Sequence, residues 1–219
     1  MSCFVTGTGT EVGKSVVAAV VAHTAAAAGR SVAVFKPAVS GLDELEGVEA
    51  DHELLRRASG SKQSDDEIAP YRYGPAVSPH LAAELAGEAI DPALLRERAR
   101  AGAASADVLV AEGVGGFLVP LTRDYLIRDF AVDLGLPVVI VASPGLGTIN
   151  HTLLTIEAVR GAGLSARAVV LTPWPDDPDE LERSNRSTIA ELAPIEIATL
   201  TPLDLADPDS WPELDLSFP

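Results

Sequence analysis

The chain has 219 residues, a formal net charge of −16 and 47% hydrophobic residues with few aromatics, so it is long enough for one domain with an Ala/Val/Leu core. The acid excess excludes general nucleic-acid binding and docking on anionic membranes, since both need basic patches. A single cysteine, Cys3, excludes an intrachain disulfide and a thiolate metal cluster.

Cys3-Phe4-Val5 reads as a buried strand, followed by a Gly/Thr-rich turn. Lys14-Ser15 then opens an Ala/Val stretch of helical length, 14–28, with Gly29 as its cap. Residues 31–35 form a second strand ended by Lys36-Pro37, and strand–helix–strand at this spacing implies a parallel pair. Residues 42–50 read as a loop. Asp51 opens a short helix, 51–57, where capping is its ordinary role. Residues 69–75 read as a Pro-punctuated loop, Pro79 as the first residue of a short helix, and Asp91-Pro92 as the start of another. Residues 107–111 are a third strand, with Glu112 to Gly116 at its carboxyl end. Residues 123–134 are helical, and 137–142 are a fully apolar strand of the kind buried on both faces. A Gly-rich loop, 145–151, leads into a helix ending near Gly161 or Gly163. A fifth strand (166–171), a helix (179–192), a last strand (195–198) and an irregular tail from Pro202 complete the chain. The class is α/β, one domain over 1–219, with a mostly parallel sheet flanked by helices. No secretory signal and no membrane-length apolar run is evident, so the chain reads as a cytoplasmic protein.

The first strand, the glycine loop and Gly13-Lys14-Ser15 at a helix head form the context of a phosphate-binding loop. Backbone N–H groups of such a loop and of the helix behind it point at one anion. Lys14 would reach the β- and γ-phosphates, and the Ser15 hydroxyl would bind Mg²⁺. The spacing departs from the usual pattern, because Thr8 stands where a glycine is expected and Gly7 lies one residue earlier. Asp51 and Glu112 supply further hard oxygens for Mg²⁺. Lys36, at a strand end, would stabilise charge on a transferred phosphoryl group; its bland alternative is a surface lysine lying over apolar neighbours. Asn150, at a helix start, either binds a carboxylate with the neighbouring N–H groups or is an ordinary cap. The four histidines are scattered, and none is assigned as a catalytic base. These residues lead to a Mg-dependent nucleoside triphosphatase fold without naming the second substrate.

Residues 5–15, Lys36-Pro37-Ala38-Val39-Ser40-Gly41, Ser78-Pro79-His80, Glu112-Gly113-Val114-Gly115-Gly116 and Gly147-Thr148-Ile149-Asn150-His151 together resemble the dethiobiotin synthetase family, in order and spacing, over residues 2 to about 200. The displaced glycine belongs to that resemblance. It implies a single-domain P-loop NTPase fold and ATP-dependent ring closure of 7,8-diaminononanoate with CO₂, through a carbamate and a carbamic–phosphoric anhydride. It implies Lys14 and Lys36 on the phosphoryl charge, and Ser15, Asp51 and Glu112 on Mg²⁺. Thr10, Glu11, Val12, Gly13, Lys14, Ser15, Glu112, Gly115 and Thr172 would line the nucleotide. Ser40, Thr10, Gly147 and Asn150 would meet the substrate, the last two across a homodimer interface. Thr172 stands where the family often has an adenine-reading Asn, which leaves nucleotide preference open. A substrate-facing Tyr of the family is absent, and Ser184-Asn185 lie nearby. The rival reading is a partitioning-type ATPase switch, but Gly9 occupies the place of that group's signature lysine. The cobyrinate-type synthetases carry a glutaminase domain for which this chain has no room.

Overall fold

Residues 2–214 and 216 are described by the computed structural model. The first strand, β1 (Cys3–Gly7), runs through the glycine loop into α1 (Lys14–Ala27) and returns as β2 (Val32–Phe35). Gly29, at φ +79°, supplies the left-handed turn that ends α1, as the sequence predicts. The excursion that follows holds β3 (Ala38–Val39), α2 (Asp51–Ser59), α3 (Asp65–Ile68), β4 (Tyr71–Arg72), α4 (Pro79–Ala86) and α5 (Pro92–Ser105). The chain then alternates regularly: β5 (Val108–Gly116), α6 (Ile127–Leu134), β6 (Val138–Ala142), α7 (Thr148–Gly161), β7 (Ala166–Leu171), α8 (Glu180–Leu192) and β8 (Glu196–Thr199).

Six strands form one parallel sheet in the order β2-β5-β1-β6-β7-β8. Period-two alternation sends side chains to both faces. Cys3, Val5, Val34, Val110, Val139 and Val170 meet α1 and α2 on one side. Phe4, Phe35, Leu109, Ile140 and Leu171 meet α5 to α8 on the other. There Phe130 of α6 lies edge-on to Phe4, with ring centroids 6.0 Å apart, and tilted against Phe35 at 5.6 Å.

The structure corrects several sequence expectations. Residues 69–75 are not all loop, because β4 pairs in parallel with β3 in a small second sheet. The helix expected over 123–134 begins four residues late, at Ile127, since Leu121 and Thr122 N–H donate to Tyr125 O in a tight turn. Asp129 then accepts the Leu126 N–H at 2.8 Å and caps the true start. The described residues beyond Pro202 are irregular apart from a single 3-10 turn, Pro208–Ser210, but they are packed. Trp211 is buried against His23, and its indole N–H donates to Asp204 O at 2.8 Å.

Two measurements test this packing. Phe130→Ala should cost about 3–5 kcal/mol in urea unfolding, as for other large core truncations, and a loss below about 1 kcal/mol would contradict the core described. Burial pushes the Cys3 thiol up to about 12. It should therefore stay unreactive to a thiol reagent at pH 8 until denaturant is added, whereas rapid native labelling would mean that β1 is accessible.

Candidate functional site

The site gathers at the carboxyl ends of β1, β2, β5 and β6, where open parallel sheets leave a crevice. Its first wall is the phosphate loop, residues 8–13. Thr8 N–H donates to Val141 O at 2.9 Å, which ties the loop to β6. Glu11 (φ +59°) and Gly13 (φ +87°) take left-handed backbone, so successive peptides turn in the manner of an anion nest. Thr10 and Glu11 are exposed along the loop's rim, while Val12 is buried as its anchor. Lys14 curls back, its ammonium donating to Gly9 O at 2.8 Å. Burial pushes the Lys14 ammonium down from its ordinary value.

Gly113 to Gly116 form the second wall. Gly116 pairs with Gly7, and a Cβ built on it would lie within 4 Å of Gly7 O, Thr8 O and Gly9 Cα. A Cβ on Gly115 would stand 3.6 Å from Thr10 Oγ1. The absence of side chains here lets β5 and the phosphate loop touch backbone to backbone. This also corrects the placing of Glu112. It does not end its strand but sits in the middle of β5, paired with Val5, because the glycines continue the ladder to Gly116 across a register shift.

The four charged or hydroxyl side chains expected to act together do meet. Lys36 Nζ lies 2.5 Å from Glu112 Oε1, 2.6 Å from Asp51 Oδ2 and 3.5 Å from Ser15 Oγ. Ser15 Oγ also donates to Glu112 Oε1 at 2.8 Å. Lys36 is 3% exposed and Glu112 fully buried, which rules out the surface-lysine alternative for Lys36. Burial opposes charge on Lys36, but Glu112 and Asp51 overcome it and push the ammonium up to about 12. Lys36 holds the Asp51 carboxyl below its ordinary range. Asp51 is not the cap of its helix: Ala50 takes that place, and its N–H donates to Glu53 at 3.1 Å. The Asp51 carboxylate is thereby free to face Lys36.

Hard oxygens of one hydroxyl and two carboxylates thus converge on a single cationic point. Glu112 Oε2 is buried with no hydrogen-bond partner among the described residues. No three His, Cys, Asp or Glu side chains form a metal cage among the described residues. Mg²⁺ needs no such cage, since it keeps waters and phosphate oxygens in its sphere, and Ser15, Asp51 and Glu112 suit it.

The other expected residues are more scattered. Thr172 follows β7 and is buried, its methyl packed so closely under Gly13 that a Cβ there would meet it at 2.8 Å. Ser40 is half-buried beyond β3, and no hydrogen bond joins its side chain to the Lys36 cluster among the described residues. Gly147, at φ +94°, occupies the cap of α7, so Asn150 lies exposed in the first turn and is not the cap. Two functional candidates have no local mark in the sequence strong enough to single them out. Thr6 is buried, and its hydroxyl has no hydrogen-bond partner among the described residues; Asn185 of α8 is buried and donates to the backbone of the loop before α7. The available signal for Asn185 is its place four residues before buried Ile189, on a face where an apolar residue is expected.

A family model described as an AAA domain matches residues 2–205. The ATP-dependent dethiobiotin synthetase BioD of Anaeromyxobacter dehalogenans (strain 2CP-1) is 43% identical over 199 residues, covering 91% of this chain and 88% of that protein. Its counterpart in Bacillus subtilis (strain 168) is 35% identical over 199 residues, covering 91% and 86%. Among solved structures, the septum site-determining protein MinD of Pyrococcus horikoshii, complexed with Mg-ADP, superposes with a TM-score of 0.53 over 92% of this chain and 82% of that one. At 14% identity it shows the shared P-loop NTPase fold and nothing further. The chain belongs to the dethiobiotin synthetase family.

Proposed function

We propose that this synthetase uses ATP and Mg²⁺ to carboxylate 7,8-diaminononanoate with CO₂ and close it to the ureido ring of dethiobiotin. The observation that supports this most is the Lys36–Glu112–Asp51–Ser15 cluster beside the phosphate loop. A switch ATPase needs to hold and hydrolyse a nucleotide. A synthetase must also steer phosphoryl transfer to an acceptor other than water, and a buried second lysine serves that end.

In this reading one amine of the diamine adds CO₂ as a carbamate. A carbamate oxygen forms a bond to the γ-phosphorus as the bond to ADP breaks. The second amine then attacks the carbamoyl carbon, the ring closes, and phosphate leaves with that oxygen. Lys14 spreads the charge on the β- and γ-phosphates, and Lys36 stabilises the charge that develops on the phosphoryl group in flight. Ser15, Asp51 and Glu112 would hold Mg²⁺, which supplies charge neutralisation across the phosphates. Thr10, Glu11, Val12, Gly13 and Gly115 border the nucleotide, and Thr172 supports it from beneath Gly13. Ser40 serves the diamine end. Gly147 and Asn150 serve the carboxylate end, in a homodimer whose neighbour's site the loop completes. Exposed Leu118, Val132, Leu146 and Leu154, around α6 and α7, favour such an interface. We place the enzyme in the cytoplasm, where ATP and bicarbonate are at hand; among the described residues no helix is long and apolar enough to cross a membrane.

The direct assay is phosphate release with Mg²⁺, bicarbonate and ATP or CTP, with and without the diamine. Release that follows the diamine and yields a ureido product is expected. Slow release indifferent to the diamine would move the chain to the switch ATPases. Lys36→Ala should lower kcat by about 10²–10³-fold while nucleotide affinity largely survives, because its contact strengthens with the transferring charge. A near-normal kcat in that variant refutes the role assigned to Lys36.

A further inference from the structure

The loop that leads from β6 into α7, residues 143–147, has little packing of its own. Only Pro144 is buried; Leu146 and Gly147 are exposed. Two ties anchor its start to the phosphate loop and to the end of β7. Thr8 of the phosphate loop donates to Val141 O at 2.9 Å, and Thr172 N–H donates to Ala142 O at 3.0 Å. Beyond that point Thr148 N–H donates to Gly145 O at 3.2 Å, and the other hold comes from 40 residues later. Asn185, 4% exposed, donates its side-chain amide to Pro144 O at 2.9 Å and to Gly145 O at 3.1 Å.

An amide buried on a helix face is costly unless its donors are satisfied. Here the Nδ2 group takes two consecutive carbonyls. In a trans peptide the N–H points opposite to the C=O. With the Pro144 and Gly145 carbonyls turned to α8, the N–H groups of Gly145 and Leu146 are turned away from it. Gly147, in left-handed backbone, then starts α7, whose first turn carries no acidic side chain. Oriented loop N–H groups and a helix amino end of positive potential form a receptor for an anionic group.

We propose that Asn185 is a positioning residue for the second substrate: by holding the carbonyls of Pro144 and Gly145 it aims the loop's N–H groups at the substrate carboxylate. This rests on the synthetase reading and on the role that reading assigns to the loop. Asn185 does not touch the substrate, and its effect passes through the backbone it orients. It also offers a reason for an Asn on the buried stripe of α8, where Ile189 shows the ordinary solution.

The test compares the diamine with its primary-amide analogue, in which the carboxylate charge is gone. Wild-type kcat/KM should favour the acid by about tenfold or more, as expected for hydrogen bonds to a charged group. Asn185→Ala should shrink that preference to below about threefold, raising KM for the acid while KM for ATP stays within about twofold. Should Asn185→Ala not fold, Asn185→Ser, which keeps one donor, reads the same ratio and should fall between the two. A folded variant that keeps the wild-type preference overturns the positioning role. So does a uniform loss in kcat and both KM values, or a wild type that does not prefer the acid. A wild type that releases no phosphate in response to the diamine instead refutes the synthetase reading itself.

Discussion

A carboxylate buried in the middle of a parallel sheet is the constraint from which the rest follows. Glu112 lies on β5, between β2 and β1, and is sealed from solvent. Left alone it would be neutralised by its surroundings, and burial does push its carboxyl up from the ordinary range. The Lys36 ammonium at 2.5 Å opposes that shift, and with the Ser15 hydroxyl at 2.8 Å it holds the carboxylate in place. Those two groups come from the end of β2 and the start of α1, so one acidic side chain ties together three separate stretches of chain. Removing a single partner from such a buried pair typically costs about 3–5 kcal/mol, because the remaining charge has no compensation.

The same arrangement reconciles an anionic substrate with a chain of net charge −16. Apart from Glu112 and half-buried groups such as Asp51, the acids lie toward the surface, where water screens them. The two lysines proposed to act on the phosphates, Lys14 at the start of α1 and Lys36 just past β2, are buried and out of that screening. Lys14 is pressed against its own loop and Lys36 against two carboxylates, so each enters the site with its geometry already set. Such preorganisation lets a fixed charge act on a moving phosphoryl group without the cost of reordering it. The glycines of β5 belong to the same design: Gly115 takes left-handed backbone at φ +62° and a Cβ there would meet Val119 at 2.8 Å, while a Cβ on Gly116 would lie in van der Waals contact with the phosphate-loop backbone.

Much of the site was legible because its residues stand at junctions that leave a local mark. Gly13-Lys14-Ser15 follows an apolar run and precedes a helical one, and Lys36 interrupts an apolar strand before a proline. Asp51 was legible as an acid at a helix start, though local rules favoured a cap and the structure gives that place to Ala50. What stayed hidden depends on long-range partners. The end of β5 was misplaced because glycines normally stop a strand, and only pairing with Gly7 shows that these continue one. The β3–β4 ladder is two residues long and has no periodicity to read. Asn185 looks like any polar residue of an amphipathic helix until the loop 40 residues earlier is seen to need its amide.

The central claim is that phosphate leaves this site with an oxygen that came from CO₂. It is tested most directly by running a single fast turnover with ¹⁸O-labelled bicarbonate, before the label exchanges with water, and reading the released phosphate by mass spectrometry. A carbamate that attacks the γ-phosphorus predicts one labelled oxygen in each phosphate, formed only when the diamine is present. Phosphate that takes its new oxygen from water would mean that the cluster around Lys36 serves hydrolysis, which would contradict the synthetase mechanism.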